Sequence, residues 1–588
     1  VILSSIIAKW RDRLCHMPNA AELYQQLATD LWAAGQLATA DRALAQALKL
    51  APDRASFWVQ RSALAHQLGN IQRAATDQWR ALELDPQLVG SRDHLQLGNQ
   101  LAQQGKLAQA RQCYGWAIAQ DHQCWEAYFN WGWVAQKSQD FAAEVQIYQR
   151  AIAQGCLDPR LPDRLAQAWA RLGKAAYLDR AYDQSIRAYQ NALNLNSQQA
   201  SYWSDLGCAL TATGQWTEAE TAHQKAIALD SQAANYHYNL GNFYWKKADY
   251  LQAISAFQNA IQHNLQDAKS HWNLSHILLA LGQLTEGFRE YEWRWTTVQP
   301  PPELPHPQWQ GESLHGRTIL LQAEQGLGDS LQFIRYADLL ASWGANVWFS
   351  GPVVLHRLFA QLPAIDRVLP VLEPGQILPG VDYRSPLLSL PHQCKTDWAT
   401  IPNQIPYLTV DPAWPLPPPF KELPAKPKKI GIVWASGYRV EDELHDIYLD
   451  KSLPCELLLK ALQEFPVMLY SLQVGKNAQD YQPLIGQFPN LNLVDCSPWI
   501  QDFADTAAIC QQLDLLISVD TSVVHLAGGL GKPTWVLLPA RCDWRWLLDR
   551  PDSPWYPTMR LFRQAKPGDW SEPLQQVRST LNHWLTAS

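Results

Sequence analysis

The sequence predicts an all-α repeat array followed by an α/β region made of two doubly wound lobes. Three observations carry this: a 34-residue internal repeat through the first half, a proline-rich strip just after Trp295, and strand–helix alternation from Thr318 onward.

The repeat is clearest at residues 200–233, with Trp203, Leu206, Gly207, Leu210, Gly214, Ala219 and Ala226 at its template positions. Residues 234–267 follow it with Leu240, Gly241, Tyr244, Ala253, Phe257 and Ala260. Units beginning at 21, 55, 91, 125, 166 and 268 fit less closely, with a two-residue slip before 91 and a seven-residue insertion before 166. Ala40, Ala74, Ala110, Ala219 and Ala253 share one slot, where two helices of a unit approach so closely that only a small side chain fits. A hairpin of this size cannot bury its own apolar face, so neighbouring units must stack into a solenoid with a groove.

The strip Pro300, Pro301, Pro302, Pro305 and Pro307 ends the helical period and is expected as a stiff, extended connector. Beyond it Thr318–Ala323 reads as a strand, Ser330–Trp343 as a helix and Asn346–Phe349 as a strand. A second proline-rich strip, from Asp411 to Lys428, divides this half. Strands are expected again at Lys429–Trp434, Val467–Gln473, Asp514–Val519 and Pro533–Leu538. The resulting domain map is a repeat array over 1–295, a connector over 296–315, a first α/β lobe over 316–412, a linker over 413–428 and a second lobe over 429–588. Parallel sheets carry their functional loops at their carboxyl ends, so two lobes of this kind imply a cleft between them.

Composition sets limits on function. At 588 residues the chain exceeds one hydrophobic core, and its 47% hydrophobic and 18% charged residues are those of a globular protein. The net charge of −7 leaves no basic excess for a general nucleic-acid binder. The ten cysteines contain no C-x-x-C pair and read as buried thiols of a reducing, cytoplasmic compartment. The apolar start, Val1 to Ala8, is too short for a membrane span and carries no basic n-region, so it reads as the beginning of a helix, and no stable membrane insertion is expected.

Three loops carry candidate chemistry. Glu324-Gln-Gly-Leu-Gly-Asp-Ser330 joins a strand to a helix, and Gly326 and Gly328 leave room for a ligand there. Asp329 is placed either to take a proton from an attacking hydroxyl or simply to cap the helix. In Ser518-Val-Asp-Thr-Ser-Val-Val-His525, Thr521 and Ser522 open a helix whose N-terminus suits a diphosphate, Asp520 suits sugar hydroxyls, and His525 follows one turn later. The plainer reading is an N-cap followed by a core histidine. Ser436 and Gly437 end the first strand of the second lobe, and Lys451 follows as a candidate phosphate contact or an ordinary solvated lysine. No D-x-D motif occurs in this half, so no metal and no cofactor are expected; phosphate charge is to be met by helix N-termini and Lys451.

The 34-residue pattern resembles tetratricopeptide repeats. Gly328-Asp-Ser-Leu-Gln-Phe333, Gly431-Ile-Val-Trp434, Lys451-Ser452, Ile517-Ser-Val-Asp-Thr521, His525-Leu-Ala-Gly528 and Asp543-Trp-Arg-Trp-Leu-Leu-Asp549 resemble bacterial repeat-containing glycosyltransferases, which are similar to O-linked N-acetylglucosamine transferases. Their lobes are also similar to lipopolysaccharide heptosyltransferases, and Phe288-Arg-Glu-Tyr-Glu-Trp-Arg-Trp295 looks like the repeat-to-lobe junction of the same group. The resemblance implies a tetratricopeptide superhelix followed by a GT-B pair of Rossmann-type lobes. It implies an inverting, metal-independent transferase that moves a sugar from a nucleotide-sugar donor to a hydroxyl acceptor, with Asp329 as general base. Asp520, Thr521, Ser522 and His525 become donor-site residues, joined by Ser436, Gly437 and, as a diphosphate contact, Lys451.

Asp543 and Trp544 are candidate ribose and base contacts, or else aromatic packing. Asn130, Asn239 and Asn273 share the repeat slot that in similar arrays faces the groove, where an amide can bind a peptide backbone, although Asn is also a tolerated surface residue there. The implied partners are the nucleotide-sugar and a protein or peptide acceptor. A glycan- or lipid-directed transferase and a non-catalytic scaffold are the competing readings. Five acidic residues between Gly437 and Lys451 depart from a phosphate pocket and suggest a flap or an altered donor.

Overall fold

The computed structural model describes residues 2–587 except 18, 19, 297, 421–426 and 438–449, so the proposed acidic flap lies outside the described residues apart from Asp450. The chain forms two compact units, Val1–Lys247 and Ala248–Ser588.

The first unit is helical. After α1 (Ile2–His16) come the pairs α2 (Ala21–Ala33) and α3 (Leu37–Leu50), α4 (Ala55–Gln67) and α5 (Ile71–Leu84), α6 (Ser91–Gln103) and α7 (Leu107–Gln120), and α8 (Trp125–Lys137) and α9 (Phe141–Ala153). They continue with α10 (Leu161–Leu178) and α11 (Tyr182–Leu195), α12 (Ala200–Ala212) and α13 (Trp216–Leu229), and then α14 (Ala234–Lys246). The insertion before residue 166 is partly absorbed into α10, which begins at Leu161 and runs for 18 residues.

The repeat pattern has a direct packing cause. Ala40, Ala74, Ala110 and Ala219 are buried in the slot where the paired helices cross. Glycine recurs on the first helix because an aromatic ring from the second lies on it. A Cβ at Gly98 would meet the Tyr114 ring at 2.6 Å, one at Gly173 would meet Tyr189 at 3.0 Å, and one at Gly207 would meet the His223 ring at 2.7 Å.

The second unit opens with α15 (Tyr250–His263), α16 (Ala268–Ala280) and α17 (Leu284–Tyr291), and a tight turn over Glu292–Thr296 then ends the helical part, where the proline strip predicts. Compactness therefore does not follow the expected boundary at 295. These last repeat helices share a core with the α/β region, where Phe288 and Tyr291 pack edge-on against Trp544, with ring centroids 5.6 and 5.9 Å apart. The proline strip forms no helix or strand of its own, and it leads into a docked segment: Trp309 is buried and its backbone N–H donates to the Arg384 carbonyl at 2.9 Å.

Four parallel strands, β1 (Thr318–Gln322), β2 (Asn346–Ser350), β3 (Arg367–Leu369) and β4 (Tyr383–Pro386), form a sheet in the order β3-β2-β1-β4. Around it lie α18 (Leu327–Phe333), α19 (Tyr336–Ser342), α20 (His356–Phe359) and α21 (Leu390–Gln393). The single helix expected over Ser330–Trp343 is broken at Ile334 and Arg335, where the Arg335 guanidinium donates to the Pro402 and Trp555 carbonyls at 3.0 and 2.7 Å. The second sheet is also parallel: β5 (Lys428–Val433), β6 (Val467–Ser471), β7 (Asn492–Asp495), β8 (Leu515–Val519), β9 (Thr534–Leu538) and β10 (Met559–Arg563) run in the order β10-β9-β8-β5-β6-β7. Its helices are α22 (Cys455–Leu462), α23 (Phe503–Gln512), α24 (Ser522–Gly529) and α25 (Ser571–Thr586).

The stretch before residue 412 touches both lobes, with the Tyr407 hydroxyl donating to the Leu331 carbonyl at 2.8 Å. Tyr407 and Leu408 donate their N–H groups to the Gly529 carbonyl at 3.0 Å, so this stretch packs on α24 of the second lobe. Gly529 makes the approach possible, since a Cβ there would lie 2.6 Å from Leu408. Among the described residues, no helix is long and apolar enough to cross a membrane.

Candidate functional site

Strand order locates the site. Each sheet reverses its winding once, between β1 and β4 in the first and between β5 and β8 in the second. At such a reversal the flanking connections leave in opposite directions and open a crevice beyond the carboxyl ends of the strands. The loops singled out from sequence emerge at these two points: Gly326–Asp329 follows β1, Ser436 and Gly437 follow β5, and Asp520–Ser522 follow β8. The loops at these two points touch. Gly328 lies so close to α24 that a Cβ would come within 2.9 Å of His525 Cδ2 and 3.5 Å of Ser522 Cα.

Asp329 is a cap, as the plainer reading holds: its Oδ2 accepts the Gly326 N–H at 2.7 Å. Its Oδ1 pairs with the Arg545 guanidinium. Burial pushes the Asp329 carboxyl above its usual range, and Arg545 is the main opposing charge. Arg545 also pairs with Asp543 at 2.9 Å and donates from Nε to Gln332 Oε1 at 2.8 Å. Burial raises Asp543 too, but Arg545 and Lys451 more than offset it and hold this carboxyl below the usual range.

Lys451 and Asp520 form an ion pair at 2.7 Å, with side chains 24% and 7% exposed. Burial favours the neutral amine, but Asp520 holds Lys451 above the ordinary lysine range. Lys451 is therefore neither an ordinary solvated lysine nor an unengaged cation. Thr521 is the N-cap of α24 and makes no side-chain cap hydrogen bond; its hydroxyl lies 3.3 Å from that of Ser518. Ser436 is half-buried and its N–H donates to Ser452 Oγ at 3.3 Å, whereas Gly437 is exposed with open space about it.

Two expectations fail. Trp544 is not available to stack on a base, because it is buried against Phe288, Tyr291 and Phe333. Asp543 is likewise committed, accepting the Arg545 N–H at 3.0 Å and pairing with its guanidinium. His525 is buried, as the plainer reading of a core histidine has it: it stacks on Trp546 at 5.5 Å, and its Nδ1 lies 2.9 Å from the Tyr556 hydroxyl. Arg545 and Tyr556 are the site residues that sequence reasoning missed. A W-R-W run gives no sign that its arginine meets a carboxylate 216 positions away.

In the helical unit, Asn130 Nδ2 donates to Asn99 Oδ1 at 2.7 Å and Asn239 Nδ2 donates to Ser204 Oγ at 2.9 Å. Each thus bridges two successive repeats. Asn273 lies on α16, in the other compact unit. Asn130 borders a cavity of about 400 Å³ that is also lined by Asn99, Trp125, Phe129, Trp133 and Arg164.

Family models described as Tetratricopeptide repeat match residues 26–88, 95–159 and 238–294, and one described as TPR repeat matches 207–247. The helical array is built of tetratricopeptide repeats. Over 340 residues the chain is 25% identical to Protein FlbA of Caulobacter vibrioides, a stretch covering 53% of this chain and 54% of FlbA. The chain thus spans about half the length of the curated relative it matches. Among solved structures, YrrB, described as a TPR protein with an unusual peptide-binding site, is 19% identical, with 32% of this chain and 94% of YrrB covered at a TM-score of 0.26. The C-terminal part of a TPR repeat-containing protein from Cytophaga hutchinsonii is 17% identical, with 42% and 98% covered at a TM-score of 0.28. MamA is 19% identical, with 30% and 94% covered at a TM-score of 0.26.

Proposed function

We propose that the α/β unit is a GT-B-type inverting glycosyltransferase that uses a nucleotide-sugar and needs no metal, and that the tetratricopeptide repeats recruit a protein or peptide acceptor. The observation that carries this reading is the meeting of two sheet-reversal points, one bringing Lys451 and the α24 N-terminus and the other bringing Asp329. The donor diphosphate belongs at the β5/β8 point, beside Ser436, Gly437, Thr521 and Ser522, where backbone N–H groups and Lys451 meet its charge. The acceptor hydroxyl then attacks the anomeric carbon as the bond to the diphosphate breaks. Its proton passes to Asp329, and the leaving diphosphate keeps the bonding electron pair.

A carboxylate base must be ionised before it can act. Burial raises the Asp329 carboxyl and the Arg545 partner opposes that rise, so the pairing favours the ionised form that the role needs. The cavity beside Asn99 and Asn130, with the Trp125, Phe129 and Trp133 rings on α8, suits an extended acceptor segment.

The test is thermal stabilisation of the full chain by uridine, guanosine and adenosine diphosphates, each with and without chelator. A ligand that binds only the native state raises the melting temperature, by about 2.7 kcal/mol of stability at 100 times Kd. A shift with one nucleotide that survives chelation supports the proposal. No shift with any of them leaves the chain a repeat scaffold with a non-catalytic α/β unit.

A further inference from the structure

The run Phe288–Trp295, which closes the last repeat, sets one arginine against the first sheet-reversal point. Arg294 lies in the tight turn after α17, and its side chain is wholly buried, as is that of Glu324. A guanidinium offers five N–H donors in one plane, and here all five find acceptors. Nε donates to Glu324 Oε2 at 2.9 Å, while Nη2 donates to Glu324 Oε1 at 2.9 Å and to Ser389 Oγ at 2.7 Å. Nη1 donates to Glu292 Oε1 at 2.7 Å and to the Tyr291 carbonyl at 3.3 Å. The partners also close on one another: Ser389 Oγ donates to Glu292 Oε2 at 2.8 Å, and the Leu388 N–H donates to Glu324 Oε1 at 2.8 Å. The Trp295 ring covers the guanidinium, its centroid 3.8 Å from the central carbon.

The chain positions of these partners show what the bonds hold. Glu324 lies just past the end of β1, at the head of the turn that carries Asp329. Leu388 and Ser389 lie just past the end of β4. The first sheet reverses between β1 and β4, so Arg294 ties together the two connections that part there. A second tether comes from the same repeat. The Gln325 side-chain amide donates to the Tyr291 hydroxyl at 3.2 Å. Gln325 has φ +55°, a left-handed conformation that a non-glycine residue keeps only where its surroundings enforce it. The Tyr291 ring in turn packs on Trp544, the neighbour of the Arg545 that pairs with Asp329.

We propose that Arg294 is a positioning residue for the crevice: through Glu324 and Ser389 it fixes the two turns at the first sheet reversal, and with them the place of Asp329. The last repeat is thereby a built-in part of the site and not only of the recruiting array. A buried ion pair often adds little net stability over well-packed apolar side chains, so what this one contributes is fixed geometry. Only the task of Asp329 as a base rests on the transferase reading; the placement of the turns does not.

The experiment is hydrogen exchange, read by mass spectrometry, on the full chain and on two variants. Arg294→Lys keeps a charge for Glu324 but donates from one atom, so it cannot span Glu324, Ser389 and Glu292. Arg294→Met with Glu324→Gln removes both buried charges and leaves Leu388 its acceptor, and it stands in if the lysine variant does not fold. Peptides spanning 323–330 and 387–390 should exchange at least about 10-fold faster, while those spanning β8 and α24 stay as they are. Unchanged exchange at both turns in a folded variant overturns the proposal. So does a uniform loss of protection across both lobes, which would make Arg294 important for folding alone. Uridine, guanosine and adenosine diphosphates are titrated alongside, and the one that binds the unaltered chain should bind the variant equally well. With a sugar donor of that nucleotide, kcat should fall about 10²-fold at unchanged KM, because a misplaced base slows the chemistry without touching donor contacts on the other lobe. A loss carried by KM and diphosphate affinity overturns the link to Asp329. If no diphosphate binds the unaltered chain, the transferase reading falls, and exchange at the two turns still decides the role of Arg294.

Discussion

Replacing Lys451 with methionine separates what the ion pair does for the fold from what the lysine does for a ligand. Asp520 is 7% exposed at its side chain, and Lys451 is the cation beside it. Removing only the lysine strands a buried carboxylate, which costs about 3–5 kcal/mol. Replacing both members, Lys451→Met with Asp520→Asn, removes the charge along with its partner and should recover most of that loss, since buried pairs are often neutral against well-packed uncharged substitutes. Phosphate binding behaves differently. A charge-assisted hydrogen bond from Lys451 is worth about 1.5–3 kcal/mol, so the double variant should bind its nucleoside diphosphate roughly 10- to 150-fold more weakly while melting close to the unaltered protein. The assay is urea unfolding of each variant, paired with calorimetric titration of the diphosphate that stabilises the unaltered chain. Unaltered affinity in a stable double variant would refute the reasoning, because the lysine would then serve only Asp520.

Asp329→Asn keeps the cap on Gly326 but cannot accept a proton, so turnover should fall about 10²–10⁴-fold at nearly constant donor affinity, read by initial rates and titration. Gly328→Ala drives a methyl against His525 and the Ser522 backbone and should cost about 1–3 kcal/mol in urea unfolding. Burial holds His223 at about 4, against 6.5 for the free side chain, so its contribution is complete above about pH 6.5 and falls away as acid is added. By pH 5 the loss should reach about 2 kcal/mol, and His223→Phe should abolish that part of the pH dependence of amide-exchange protection in α12 and α13.

The repeats were legible because their cause is local and recurrent. One ring presses on one glycine and one alanine sits at one crossing, so the same packing constraint is written again about every 34 residues, as at Gly207 beneath His223 and Gly98 beneath Tyr114. The strands were legible for a similar reason: β1 and β8 are fully buried, so they appear as short apolar runs, Thr318–Gln322 and Leu515–Val519, and the three candidate loops begin where such runs end.

Which residues those loops would meet was not legible. Trp544 reads equally as a stacking platform or as core until Phe288 and Tyr291 arrive from the last repeat. Lys451 reads as solvated until β8 brings Asp520 within 2.7 Å. The break at Arg335 follows no helix-breaking residue; it coincides with the meeting of its guanidinium and the carbonyls of Pro402 and Trp555. By itself the sequence determined the repeat, the alternation and the positions of the turns, because each follows from side-chain size and polarity over a few neighbouring residues. Only the tertiary structure decided the charges and protons of the site. A carboxylate, a lysine or an imidazole takes its state from whichever partner the fold sets within about 3 Å, and for Asp329 that partner, Arg545, stands 216 residues away along the chain.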